Sequence, residues 1–261
     1  MMEGRAFASP LPLLPSLRGG EADEAIQGPV LAAPGLLRCA RNDGVKNPDK
    51  VSLAGSFQPH DLLRVDPASI GELSRDLPGW AAASLAAIPW VVVRRALPFD
   101  GLLAVGIRGS DRSERCAAWL PPGAVVERRT PADLAVAHDW RTHPRRAEVS
   151  ALAALDAVAA LLAGWNWGPA GSVGFEFATG HASTHPDSDL DIVLRALARI
   201  GREEAGRLLT ALAALPARID VAVETPLGAC SLAEIAAGGS TVVKTPTGPR
   251  LVRDPWAEPV A

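Results

Sequence analysis

The 261-residue chain is 48% hydrophobic and 21% charged, ordinary for a globular protein and long enough for one large domain or two small ones. A net charge of −3 supplies no broad basic field for non-specific nucleic-acid binding, and no apolar run approaches the length of a membrane span. Cys39, Cys116 and Cys230 are scattered without a CxxC pair, which argues against a disulfide framework or zinc site and fits a cytoplasmic protein. Residues 1–57 are rich in Gly, Pro and Ala, lack periodicity, and read as a disordered extension without a signal-peptide core.

Order is expected from "HDLLRV" onward. A helix over 68–85, strands in "WVVVRRAL" and "LLAVGIRG", and the following "SDRSERCAAWL" predict a small α+β module over 58–135. The proline-broken "HDWRTHPRR" at 138–146 reads as a linker into a second domain, 136–261. There the pattern predicts a helix in "AEVSALAALDAVAALLAGW" and strands in "SVGFEFATG" and "LDIVLRA". A helix in "REEAGRLLTALAAL", a strand in "RIDVAVET", a short helix in "SLAEIAAG" and a closing strand pair, "STVVKTP" and "PRLV", complete the chain.

Asp189 and Asp191 flank Leu190 at the start of an apolar strand. Residues two apart in a strand share a face, so both acids project together while Leu190 and Ile192 enter a core. Adjacent carboxylates repel unless a cation lies between them, and oxygen ligands of this kind suit Mg²⁺ bridging to phosphates. Asp220, between Ile219 and Val221, repeats the device on a later strand and would complete a two-metal clamp for phosphoryl-type transfer. Upstream, Gly171 and Ser172 form a turn in which glycine admits a ligand close to the backbone and serine donates to phosphate.

Each feature alone has a plainer reading. An isolated Asp-x-Asp is most often a solvated strand edge, and Ser172 a turn residue. Glu176 and Glu224 read as structural, His181 and His185 as exposed loop residues, and Asp187 as a turn former. The ordered set Gly-Ser, Asp-x-Asp, distant strand Asp outweighs these readings, because it is the pattern of the nucleotidyltransferase superfamily. Arg94, Arg95, Arg108, Arg112 and Arg115 could solvate strand ends. Beside Gly106 and Gly109 they could instead bind a polyphosphate, as could Lys244 in a late strand. Only three residues are lysine and 23 are arginine, a bias that genome composition also produces.

The segments "HDLLRV", "WVVVRRA", "VGIRGSDRSER", "GSVGFEFATG", "DSDLDIVLRA", "RIDVAVETPLGA" and "GPRLVRDPW" together resemble the phosphoribosyl-dephospho-CoA transferases of the malonate decarboxylase system. The resemblance spans about residues 60–256. It implies a small α+β module followed by a nucleotidyltransferase-like mixed sheet flanked by helices. It further implies transfer of a phosphoribosyl-dephospho-CoA group from triphosphoribosyl-dephospho-CoA to a serine of the acyl carrier subunit, with release of pyrophosphate. Asp189, Asp191 and Asp220 would then bind metal, with no nucleic acid or membrane partner. A nucleotidyltransferase using an ordinary nucleoside triphosphate, the citrate lyase-type transferase, and a non-enzymatic carrier-docking module remain as alternatives.

Overall fold

The computed structural model describes residues 57–111 and 113–257, so the expected disorder of the N-terminal extension and the placement of Arg112 lie outside the described residues. The first module contains β1 (Leu62–Val65), α1 (Pro67–Leu73), α2 (Gly79–Ala87), β2 (Trp90–Val93), β3 (Leu103–Arg108), β4 (Arg115–Leu120) and β5 (Val125–Arg129). Its sheet is antiparallel in the order β4-β3-β2-β1-β5. Leu63, Val65, Val91, Val93, Val105 and Ile107 alternate onto one face and bury against α1 and α2. Each such aliphatic side chain contributes about 1.5–3 kcal/mol when fully buried.

The single helix expected over 68–85 is two helices. Asp66 caps α1 by accepting the Ala68 N–H at 3.0 Å, and Pro67 takes the first helical position. Pro78 is extended at φ −54°, ψ 145°, so the chain restarts there as α2.

The second module contains α3 (Pro131–Ala137), α4 (Ser150–Leu161), β6 (Asn166–Pro169), α5 (Gly171–Thr179), β7 (Leu190–Arg195), α6 (Arg202–Ala213) and β8 (Ile219–Thr225). It ends with β9 (Gly228–Ser231), α7 (Leu232–Ala237), β10 (Thr241–Thr245) and β11 (Gly248–Val252). The sheet order is β11-β10-β9-β8-β7-β6, mixed because β7 and β8 run parallel while the other neighbours are antiparallel. The parallel pair needs a crossover, which α6 supplies. The expected α+β class therefore holds.

One expectation fails at a place that matters. "SVGFEFATG" is the helix α5, not a strand. The alternation of Val173, Phe175 and Phe177 mimics a strand, but tertiary packing decides otherwise. Gly174 lies against the Pro169 carbonyl, where a methyl group would stand 2.7 Å from its oxygen. Gly180, at φ 71°, then stops the helix in the left-handed conformation. The segment expected as a linker is also packed: Trp140 is fully buried and donates its indole N–H to Asp156 at 3.0 Å.

The modules meet through side chains of both signs. Leu62 and Trp90 pack on Leu134 and Phe175. Buried Asp61 joins Arg128 of its own module at 2.8 Å and Arg195 of β7 at 3.0 Å. Glu224 of β8 pairs with Arg95 and lies 3.4 Å from His60. The first module thus covers the Arg195–Glu224 end of the second sheet.

Candidate active site

Asp191 and Asp220 are direct neighbours across the parallel β7–β8 ladder. Adjacent strands lie about 4.8 Å apart, so the two side chains leave the same face side by side. Leu190 and Ile192, on the opposite face, are buried in the core as the alternation requires. β7 begins only at Leu190, so Asp189 sits at its mouth rather than within it. Arg218 draws the acids together from below, with Nη1 at 3.4 Å from Asp189 and Nη2 at 3.1 Å from Asp220.

Gly171 closes the other side of Asp191. It opens α5 at φ 56°, and a Cβ there would stand 1.8 Å from Asp191 Oδ2. The Ala170 N–H donates to the Asp191 carbonyl at 2.9 Å, locking this turn to β7. No side chain caps α5, so Gly171 and Ser172 present the positive end of a helix beside the acids.

Electrostatics follow from this crowding. Burial pushes the Asp191 carboxyl up, and the Asp220 and Asp189 charges add to the rise. His60 and Arg108, both from the first module, pull it back. Arg108 lies with its guanidinium 5.4 Å from the Phe175 ring centre, and its carbonyl is held by the Ser84 hydroxyl at 2.5 Å. Arg115 faces Arg108 across the β3–β4 ladder and donates to the Asp111 and Glu114 carbonyls. Lys244 is not brought to the acids: it pairs with Ala229, which pairs with Glu224 at the far end of β8.

Glu176 is structural. Its buried carboxylate accepts from Arg145, from the Ser183 and Thr184 N–H groups and from the Thr184 hydroxyl, pinning the loop that leads to Asp189. Burial raises its carboxyl, yet these donors outweigh burial and hold it low. Glu224 is held low in the same way by His60 and Arg95 against its burial. His181 and His185 are exposed, as expected.

Two comparisons bear on this arrangement. Residues 58–131 match the family described as phosphoribosyl-dephospho-CoA transferase MdcG N-terminal domain, and residues 134–255 match the corresponding C-terminal domain. A phosphoribosyl-dephospho-CoA transferase of Pseudomonas putida is 43% identical over 203 residues, covering 77% of this chain and 95% of the relative. The chain belongs to the phosphoribosyl-dephospho-CoA transferase family. It is therefore a transferase.

Similar transferases from Azotobacter vinelandii and Pseudomonas aeruginosa are 41% and 39% identical over 207 and 210 residues. They are covered over 96% and 93% of their lengths, against 78% and 76% of this chain. No solved structure matches significantly. Among the described residues, no helix is long and apolar enough to cross a membrane, and no three His, Cys, Asp or Glu side chains form a ready-made metal cluster. Within this transferase the residues that sequence reasoning missed are Arg218 and His60. Arg218 carries a legible signal, a cation two residues before Asp220 at the entrance to β8. His60 carries none, because its reach toward Asp191 depends on how the modules dock.

Proposed function

We propose that the chain transfers the phosphoribosyl-dephospho-CoA group from triphosphoribosyl-dephospho-CoA to a serine of the malonate decarboxylase acyl carrier subunit, in the manner of a nucleotidyltransferase. The observation that carries this reading is the adjacency of Asp191 and Asp220, with Gly171 fitted against the first and Arg108 acting on it from the other module.

The donor set fits Mg²⁺. Asp189, Asp191 and Asp220 offer only oxygen, and the raised Asp191 carboxyl marks a place where a cation would relieve repulsion. These three residues would hold the ion, with Arg218 yielding its hold on Asp189 and Asp220. When bound, magnesium neutralises charge on the triphosphate and the departing pyrophosphate.

The chain's own groups do the rest. Gly171 and Ser172 offer backbone N–H groups to phosphate oxygens at the start of α5. Arg108 clamps the triphosphate from the first module, with Arg115 beside it. The carrier serine hydroxyl attacks the α-phosphate in line, one P–O bond forms as the bond to pyrophosphate breaks, and the hydroxyl proton passes to an ionised carboxylate at the β7–β8 mouth.

The test is the intact mass of the carrier subunit after incubation with the chain, magnesium and the triphosphoribosyl donor. A gain equal to the prosthetic group, with one pyrophosphate released, is expected. Modification of a citrate lyase carrier alone, or adenylylation from ATP alone, would overturn the assignment.

A further inference from the structure

The first sheet has a second face. On β4, Cys116, Ala118 and Leu120 join the core, so Arg115, Ala117 and Trp119 face outward. On β3 the outward residues are Ala104, Gly106 and Arg108, in register with Trp119, Ala117 and Arg115 respectively. The centre of this face is small, Gly106 beside Ala117. Arg94 lies along it, and a methyl group at 106 would stand 3.5 Å from Arg94 Cδ.

The ends of the face differ. At one end Trp119 meets Phe99, ring centres 5.6 Å apart, and Phe99 is 53% exposed. At the other end stand Arg108 and Arg115, four residues or roughly 13 Å away along β4. The β1–β2 side of the same face is closed, because Leu62, Trp90 and Val92 pack on Leu134, Phe175 and Phe177. Arg108, lying over the Phe175 ring of α5, the helix whose first residue Gly171 fits against Asp191, is the joint between this platform and the acids.

We infer that the open part of this outer face, β3 and β4 with Arg94 beside them, binds the dephospho-CoA part of the donor, its diphosphate on Arg94 and Arg115 and its adenine against Trp119. A diphosphate calls for bidentate cations, and a base calls for an aromatic wall above a floor without protruding side chains. The face supplies both in the order that a ligand running out from Asp191 past Arg108 would meet them. The nearby acid, Glu114, is engaged by the Asp111 N–H and the Ser110 hydroxyl in the β3–β4 turn. The inference rests on the donor named above.

Calorimetry on the full chain with dephospho-CoA, and separately with inorganic pyrophosphate, tests it. Trp119→Ala and Ala117→Glu are expected to weaken dephospho-CoA binding about tenfold or more, while Trp119→Phe keeps most of it. Pyrophosphate binding should be unchanged in the two Trp119 variants. Ala117 is exposed on an edge strand, so Ala117→Glu gives a folded test if the Trp119 truncation does not. Wild-type binding that neither Trp119→Ala nor Ala117→Glu weakens overturns the platform and leaves the donor reading standing. Absence of binding by the wild type overturns both. A raised KM for the carrier with unchanged dephospho-CoA affinity would assign the face to the carrier instead, and also overturns the inference.

Discussion

Gly171 and Asp191 are in contact with no space between them: the glycine Cα takes the only room that the carboxylate leaves. Gly171→Ala must therefore either displace Asp191 Oδ2 or unwind the start of α5, in addition to the strain of an alanine at φ 56°. We expect a folded protein, destabilised by about 1–3 kcal/mol, with transfer reduced at least tenfold. Thermal unfolding and the initial rate of carrier modification check both.

Asp191→Asn should stabilise the metal-free protein at neutral pH. The folded-state carboxyl titrates above its unfolded value, so ionising it opposes folding, and the stability associated with its protonation is lost as pH rises through the folded pKa. The melting temperature of the variant should thus exceed that of the wild type at pH 7. The two should converge below the ordinary carboxylate range, about pH 4. Magnesium should raise the wild-type melting temperature and leave that of the variant unmoved.

Asp189→Asn and Asp220→Ala should each abolish or nearly abolish transfer, a loss of several kcal/mol in the transition state, and chelation of magnesium should do the same to the wild type. Asp220→Ala also strips Arg218 of one of its two partners. Arg218→Ala is the informative control. It should retain turnover if the guanidinium only balances the acids before a cation arrives. Rates measured against magnesium concentration read this directly.

Arg108→Lys keeps the charge but loses the planar fork and its stacking on Phe175. Donor affinity by isothermal titration should fall about tenfold, roughly 1.4 kcal/mol, while the KM for the carrier changes little. Equal donor affinity would confine phosphate recognition to the second module.

Glu176→Gln should lower stability by about 3 kcal/mol, because Arg145 is left facing a neutral group in a buried site. The loop carrying Ser183 and Thr184 should loosen with it, which hydrogen exchange at those amides would register.

The acids were legible because strand alternation is local: Leu190 and Ile192 inward fixes Asp191 outward, and the β7–β8 pairing needed only the shared pattern around Asp220. The identity of α5 was not, since V-G-F-E-F alternates like a strand. The forces that make it a helix are a backbone contact with Pro169 and a carboxylate salt-bridged to Arg145, 31 residues earlier. The α1–α2 break was signalled by Pro78 and by the polar Ser74, Arg75 and Asp76 before it, and the helix expected over 68–85 ran through both. What brings His60 and Arg108 toward Asp191 is the docking of two sheets, and no window along the chain encodes that.

The pairs that cross between the modules bear on how this chain can be divided. Asp61 has no solvent to fall back on, and Arg195 and Glu224 take counter-charges from the other half. Cutting the chain near Thr130 would hand each fragment a set of half-neutralised ions on a newly wetted face, together with the exposed ends of an apolar contact. Neither fragment would be a smaller version of the enzyme. A chimaera joined at this boundary would need the charges on both sides to travel together.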